Sequence, residues 1–339
     1  MKAFRYWELI KKQLEETMQR TFVHLVAISC LLIGLMGGSV SHAQSDFKVT
    51  LLGTGSPTPR TDRFGPSTLV EAGDQKLLFD AGRGVPIRLG QLNVPLGKLN
   101  VLFITHYHSD HTSGIADVWL TGWLPAPFGR RTTPFRVIGP VGAKALMSNL
   151  EKAYALDIKI RLEDQKLPPE GIATVVEEFE KDGVVYDKNG VKVIAFEVEH
   201  GPAIKPAVGY RIEYKGRSVV ISGDTRYNQN VIKYGTGADV LIHEVSSARP
   251  ELLATSIPVQ RIIAHHTTPR EAGMVFSQAK PKMAVYTHIS LQGRDKIPEP
   301  TIDEVIAETH QTYSGPLVVG EDLMSFEIGD TITVRRYKP

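Results

Sequence analysis

The chain has 339 residues, of which 42% are hydrophobic, 8% aromatic and 22% charged, a composition that supplies a core and excludes an intrinsically disordered protein. Its formal net charge is +2, and residues 1–43 carry that excess with five Lys/Arg against three Asp/Glu. The remaining 34 basic and 34 acidic residues balance, so there is no basic excess of the kind that tracks nucleic acid over a wide surface.

Leu25 to Met36 is mostly apolar and is followed by Gly37-Gly38-Ser39-Val40 and Ser41-His42-Ala43, the pattern of an export signal with a small-residue cleavage site. The run is too short to span a bilayer, which takes about 20 apolar residues. Residues 1–43 are therefore expected to be a signal peptide and 44–339 the mature domain, periplasmic or secreted, with no stable membrane anchor. Glu8, Glu15 and Glu16 sit badly in a basic leader, whereas a start at Met18 places only Met18-Gln19-Arg20 before the apolar run. Translation is accordingly expected to begin at Met18. The only cysteine, Cys30, falls inside the apolar run, so the mature chain is expected to have neither a disulfide nor a Cys metal ligand.

Phe47 to Leu52 alternates as a short strand closed by Gly53-Thr54-Gly55-Ser56-Pro57. Val70 to Ala72 and Lys76 to Phe79 read as a hairpin that ends at Asp80-Ala81-Gly82, and Val101 to Thr105 as a buried strand. Strands are predicted at Phe135 to Ile138, Val191 to Val198, Val208 to Tyr214, Arg217 to Ser222, Val240 to Ile242 and Ala284 to Thr287. Helices are predicted at Val141 to Tyr154, Thr268 to Ala279 and Thr301 to His310, and a terminal hairpin at Ser325 to Arg336. Interleaved strands and helices with no repeat or low-complexity linker indicate a single α/β domain.

The strand at Val101 delivers the chain into Thr105-His106-Tyr107-His108-Ser109-Asp110-His111, where four groups able to bind a metal fall within six residues. Neutral imidazoles and carboxylates suit Zn²⁺. A polar surface loop would need no matching groups downstream. Glu199-His200-Gly201, Ser222-Gly223-Asp224-Thr225 and Thr287-His288-Ile289-Ser290 each place a His or Asp just after an apolar strand. Singly, each is as readily a core or cap residue as a ligand; together with the first cluster they point to a binuclear site.

The pattern H-x-H-x-D-H followed by H, D and H resembles the metallo-β-lactamase superfamily, and within it the ribonuclease Z branch and its secreted arylsulfatase-like and phosphodiesterase-like relatives. The resemblance runs from about Val49 to His288 and includes Leu52 to Ser56, Leu78 to Gly82, Gly209-Tyr210-Arg211 and Gly216 to Thr225. It implies an αββα sandwich with the metal site at one edge. It also implies His106, His108 and His200 as ligands of one metal, Asp110, His111 and His288 as ligands of the other, and Asp224 as the bridge. Two Zn²⁺ are the expected cofactors, although Mn²⁺ or Fe²⁺ fit the same ligands. Asp110 is further implied as proton acceptor, His266 in His265-His266-Thr267-Thr268 as general acid, and Glu244 as the residue that orients and charges it. Asp80 reads as a carboxylate that holds a ligand histidine, or else as a cap for the turn at Gly82. His243 and His265 read as structural, and His24, His42 and His310 receive no role.

The chain departs from ribonuclease Z in one respect: only 23 residues separate His200 from Asp224, too few for that family's long tRNA-gripping arm. Asp157 to Asp187 offers no replacement, with nine acidic residues against four basic ones. Trp119, Trp123 and Phe128 with Arg130-Arg131 read either as an apolar wall with an anion holder over the metals or, for the two tryptophans, as the buried i, i+4 face of a helix. The resulting expectation is an exported binuclear zinc hydrolase that cleaves a phosphodiester or sulfate ester with a metal-bridging hydroxide. Its expected substrate is a small-molecule ester, with nucleic acid disfavoured and a homodimer left open. Ribonuclease Z-type tRNA 3′-processing and lactonase or β-lactamase-type C–O or C–N hydrolysis stand as alternatives.

Overall fold

The computed structural model describes residues 7–8, 11–18 and 46–338. The chain divides into two compact units, Met1–Gln44 and Ser45–Pro339. In the first, residues 11–18 are helical and exposed; the apolar run Leu25 to Met36, Cys30 and the cleavage site at Ala43 lie outside the described residues. No helix among the described residues is long and apolar enough to cross a membrane.

In the second unit, the period-two pattern of the strands sorts side chains into three separate apolar layers. Val101 and Phe103 pack into one cluster and Leu102 and Ile104 into another, as side chains on alternate faces of a strand must. One sheet runs β15-β14-β1-β2-β3-β4-β5-β6. Its strands in chain order are β1 (Phe47–Gly53), β2 (Ser67–Ala72), β3 (Gln75–Phe79), β4 (Val101–Phe103), β5 (Phe135–Pro140), β6 (Thr174–Phe179), β14 (Ser325–Ile328) and β15 (Ile332–Arg335). The other runs β13-β12-β11-β10-β9-β8-β7. It comprises β7 (Gly183–Lys188), β8 (Val191–Glu197), β9 (Val208–Tyr214), β10 (Arg217–Ile221), β11 (Val240–Ala248), β12 (Met283–Gln292) and β13 (Leu317–Val319). In each sheet one half is antiparallel and the other parallel.

The inner cluster joins the facing sheets, with Val49, Phe79 and Phe103 from one and Val193, Tyr210, Val219 and Ile242 from the other. A second cluster fixes the helices Val85–Gln91, Ile115–Trp123 and Ala143–Ala153 onto the outer face of the first sheet, and a third fixes Pro269–Ala279 and Ile302–Thr309 onto the outer face of the second. The architecture is the expected αββα sandwich. The last two helices start where their sequences dictate: Thr268 with Glu271 and Thr301 with Glu304 each form a reciprocal capping box.

The buried reading of the tryptophans holds. Trp119 and Trp123 sit in the helix Ile115–Trp123, both buried, and their indole N–H groups donate to the carbonyls of Ile172 and Pro168. Arg131 is buried beneath them, bonded to the carbonyls of Gly171 and Trp119, and burial pushes its guanidinium down to about 10. The stretch Asp157 to Asp187 contains two strands absent from the sequence reading, β6 and β7, which form an edge of each sheet.

Candidate metal centre

The exit from β4 is pinned on three sides before the first histidine. Ile104 N–H donates to Ile138 O (3.1 Å), Val208 N–H to Thr105 O (3.0 Å), and Tyr210 Oη–H to Ile104 O (2.6 Å). His106 then points inward, His108 stands at the start of the short helix Ser109–Thr112, and that helix turns Asp110 and His111 toward the same space. Gly82 makes this packing possible, since a Cβ there would lie 2.4 Å from the Asp110 carbonyl oxygen. From the other sheet, His200 follows β8 and Asp224 follows β10. His288 sits at the bulge where Glu244 pairs with Thr287 and Val245 with Ile289, with φ +44. A bulge re-aims one side chain off the strand's alternation, and here it turns His288 into the cluster.

All seven expected ligand residues converge. His106, His108, His200 and Asp224 form one set and Asp110, His111 and His288 another, each with its ligand atoms within 4.8 Å of one another. His108 is exposed and the other six are buried. Asp224 Oδ2 lies between the sets, 3.6 Å from His200 Nε2 and 3.8 Å from His106 Nε2 on one side, 3.3 Å from His111 Nε2 and 3.1 Å from His288 Nε2 on the other.

Hydrogen bonds on the far ring edges decide which nitrogens face inward with a free lone pair. The Thr105 hydroxyl gives its one proton to Asp80 Oδ2 (2.7 Å), so its oxygen accepts from His106 Nδ1–H (3.0 Å). His200 Nδ1–H donates to His265 O (2.8 Å) and His111 Nδ1–H to Asp80 Oδ2 (2.7 Å). His106 Nε2 and His200 Nε2 thus present their lone pairs inward, both within hydrogen-bond reach of His108 Nδ1, at 3.0 Å and 3.3 Å. Ligand atoms on a tetrahedral zinc are separated by about 3.3 Å. The buried Nε2 of His111 has no aligned hydrogen-bond partner among the described residues and faces Asp224 Oδ2 at 3.3 Å. This donor set fits divalent cations.

The electrostatics agree. Burial drives His106 well below its ordinary value and His200 down to about 4, so both are neutral and available as ligands. Burial works against charge on His111 too, but the Asp224 and Asp80 carboxylates outweigh it and raise that group. Burial likewise opposes ionisation of Asp224, yet the surrounding imidazoles of His288 and His111 hold it well below the usual carboxylate range. A pocket that keeps buried carboxylates charged needs positive charge within it.

Beside the sets stands His266, whose ring stacks on His288 at 5.4 Å. Its Nδ1–H donates to Glu244 Oε1 (3.0 Å), which also accepts from the amides of Thr225 (3.2 Å) and Thr267 (3.1 Å). Burial disfavours the imidazolium, but the Glu244 carboxylate overrides it and moves His266 up to about 9. Asp80 bonds the His111 ring and Thr105 rather than capping the turn at Gly82. His265 contributes its carbonyl, and the buried His243 bonds only to the next residue's carbonyl. The partners Thr105, Thr225, Thr267 and the His265 carbonyl were missed from sequence, because backbone groups and single threonines carry no spacing signal.

A family model described as "Beta-lactamase superfamily domain" matches residues 75–289. The protein named Ribonuclease Z from Mycolicibacterium gilvum is 38% identical over 247 residues, 71% of this chain and 83% of that one. Its namesake from Mycobacterium marinum is 34% identical over 290 residues, 83% of this chain and 98% of that one. Among solved structures, the metallo-β-lactamase fold protein YhfI from Bacillus subtilis has a TM-score of 0.63 at 22% identity, covering 82% of this chain and 98% of that one. The short form of human tRNase Z has a TM-score of 0.61 at 23% identity with the same coverages.

These relatives overturn two expectations: the exported phosphodiester- or sulfate-ester hydrolase, and the small-molecule ester substrate with nucleic acid disfavoured. The physical error lay in treating Asp157 to Asp187 as a free negative field. Several of its carboxylates are engaged within the fold: Glu178 accepts the amides of Gly142 and Lys144, Asp182 that of Glu197, and Glu177 and Asp157 pair with Arg136 and Arg161. The short connection from His200 to Asp224, built as β9 and β10, does not separate the chain from proteins named Ribonuclease Z that align with it over 98% of their length. Fold, donor set and relatives agree, and the chain belongs to the β-lactamase superfamily and, within it, to the ribonuclease Z family of metal-dependent hydrolases.

Proposed function

We propose that this protein is a ribonuclease Z-type endonuclease that cleaves a phosphodiester bond on the 3′ side of precursor tRNA. The observation that supports this reading best is the His266–Glu244 pair, an imidazole held at 3.0 Å by a buried carboxylate that favours its charged form, set against the Asp224 and His288 ligand atoms. A poor leaving group such as a ribose oxygen needs a proton as its bond to phosphorus breaks, and a positioned imidazolium supplies it.

His106, His108 and His200 would hold one divalent cation and Asp110, His111 and His288 a second, with Asp224 shared; zinc suits this N/O set. Bound there, the cations supply Lewis acidity toward a phosphoryl oxygen and acidify water at neutral pH. The protein's own groups do the proton work. Asp110, whose carboxyl burial pushes up but the bond from His288 and the imidazoles of His111 and His288 together hold below the usual range, takes the proton of the attacking water. His266 delivers one from Nε2 to the departing oxygen while Glu244 holds the opposite ring edge.

The test is cleavage of a 3′-extended precursor tRNA by the zinc-loaded protein, run beside nitrophenyl phosphodiesters and aryl sulfates. Specific cleavage of the tRNA is expected. In His266→Ala, zinc content should stay at the wild-type level while turnover on RNA falls by about 10²-fold or more, with a smaller loss on nitrophenyl esters, whose leaving group needs no proton. Hydrolysis of the small esters with intact precursor tRNA would overturn the reading, and equal losses on both substrates would overturn the acid role.

A further inference from the structure

The connection from β13 to β14 carries a buried acid outside both ligand sets. It crosses from one sheet to the other and is fastened to each: Gly320 N–H donates to Tyr286 O (2.9 Å) in β12, and Leu51 N–H in β1 donates to Met324 O (2.9 Å). Asp322 stands on this base with its side chain 5% exposed. Its Oδ1 accepts the Thr54 amide (2.9 Å) and hydroxyl (2.8 Å). Its Oδ2 accepts the Phe64 amide (2.7 Å) and the Arg88 guanidinium, from Nε at 3.1 Å and Nη2 at 2.8 Å.

Thr54 and Phe64 are the two feet of one loop. Gly55 N–H donates to Phe64 O (2.8 Å) and closes it, and Arg63 Nη1–H donates to the Thr54 hydroxyl and to Gly320 O (2.7 Å each). Between the feet, residues 57–62 are exposed and form neither helix nor strand, so the loop takes its place from where its ends are held. It walls a cleft of about 270 Å³ in which Ser56, Thr58, Arg60 and Asp62 stand with Ile289 and Leu291 of β12. Ile289 follows His288, and its amide donates to Thr54 O (2.9 Å), so the foot gripped by Asp322 is where the cleft meets the metal centre. β12 keeps its own register on β11 through Glu244 with Thr287 and Val245 with Ile289. A loosened foot therefore moves the loop and not His288.

We propose that Asp322 is a positioning residue for the substrate: by gripping Thr54 and Phe64 it sets the wall of the cleft beside His288, and so governs how tightly an extended substrate is held without altering the bond-breaking step. It acts through the loop. A salt bridge to Arg88 that served stability alone would predict losses that follow overall stability. The choice of precursor tRNA as the extended substrate rests on the ribonuclease Z reading; the placement of the loop does not.

The test compares Asp322→Asn with the double variant Asp322→Asn/Arg88→Met in the zinc-loaded full chain. In the single variant one carboxylate oxygen becomes an NH₂ that cannot accept, so one foot comes loose whichever way the amide turns. The double variant also removes the guanidinium that the single one leaves buried without its partner, and its urea midpoint should recover toward wild type. In both variants KM for a 3′-extended precursor tRNA should rise by about tenfold, the size of one lost hydrogen bond to a charged group, with kcat near wild type. Both constants for nitrophenyl phosphodiesters, too small to span the cleft, should stay at wild-type values. Backbone hydrogen exchange, read without substrate, should quicken in residues 55–64 of both variants while β4 and the helix Pro269–Ala279 keep their protection. An unchanged KM on cleaved precursor in Asp322→Asn, wild-type exchange in the loop, or recovery of KM and loop protection along with stability in the double variant would each overturn the proposal. If the unsubstituted protein leaves the precursor intact, the RNA reading falls instead, and the exchange comparison still decides the role of Asp322.

Discussion

Asp80 places one buried carboxylate behind both ligand sets. Its Oδ2 accepts from His111 Nδ1 directly and from the Thr105 hydroxyl that in turn orients His106, while Oδ1 takes the Thr105 amide at 2.8 Å. It holds this position with φ +57, a conformation that Asp tolerates better than most residues. In Asp80→Asn the amide NH₂ would face either the Thr105 N–H or the incoming ring and hydroxyl donors, so one of them loses its acceptor. Metal affinity should fall by about 10–100-fold at both positions, read as zinc per chain against a graded chelator. Wild-type retention of both ions would show that the carboxylate does not control the ligands. At this scale the sequence was informative where chemistry repeats at a fixed spacing, as in His106, His108, Asp110 and His111. It was silent where one residue serves through its backbone, as His265 does for His200.

At the scale of elements, interior strands were legible and edges were not. Val101–Phe103 and the start of β11 at Val240 are apolar runs, the signature of strands covered on both faces. β6 and β7 each form only an edge, eleven of their twelve residues are exposed or half-buried, and they carry Glu177, Glu178 and Asp187, so composition disguises them as an insertion. β11 continues past Ile242 through His243, Glu244, Ser246 and Ser247, polar residues that are buried because β12 runs alongside them to Gln292. Loops that look interchangeable in sequence prove tightly stacked: a Cβ on Gly82 would lie 2.4 Å from the Asp110 oxygen and 2.5 Å from the Gly65 carbonyl carbon. Since both obstacles are backbone, Gly82→Ala should cost about 1–3 kcal/mol in urea unfolding and displace Asp110. An unchanged urea midpoint would mean that these loops shift freely.

The helix Ile302–Thr309 carries a charge-dependent tie of its own. Glu304 completes the capping box on Thr301 and pairs with Arg249 at 2.7 Å. The Arg249 bond, aided by the Thr301 amide, pulls its carboxyl down to about 2. A glutamate in the unfolded chain titrates near 4.3. The folded state therefore gains from this group fully above the unfolded value and loses that gain as pH falls toward about 2. Glu304→Gln keeps the cap and removes the charge, so it should melt lower than wild type at pH 7, with the gap narrowing steadily from about pH 5 to pH 3. A gap independent of pH would place the effect in packing.

For the molecule as a whole, the decisive feature is that neither sheet owns the centre. His106, His108, Asp110 and His111 follow a strand end of one sheet, His200 and Asp224 follow strand ends of the other, where His288 sits at the bulge within β12, and the inner apolar cluster holds the two face to face. A cation bound there would tie the sheets together and neutralise carboxylates that the fold keeps charged in a buried place. It would bind the native state and not the unfolded one, and at a free concentration of about 1,000 times its dissociation constant such an ion stabilises by about 4 kcal/mol. For a domain of this size that corresponds to a melting shift of roughly 10 °C. Chelation should accordingly lower the melting temperature by about that amount in one cooperative transition, reversed by zinc. If chelation instead leaves the transition where it was, the cluster carries no cation that matters to the fold. If it splits the transition in two, the apolar interface alone does not couple the sheets and the bound cation is what makes them melt as one.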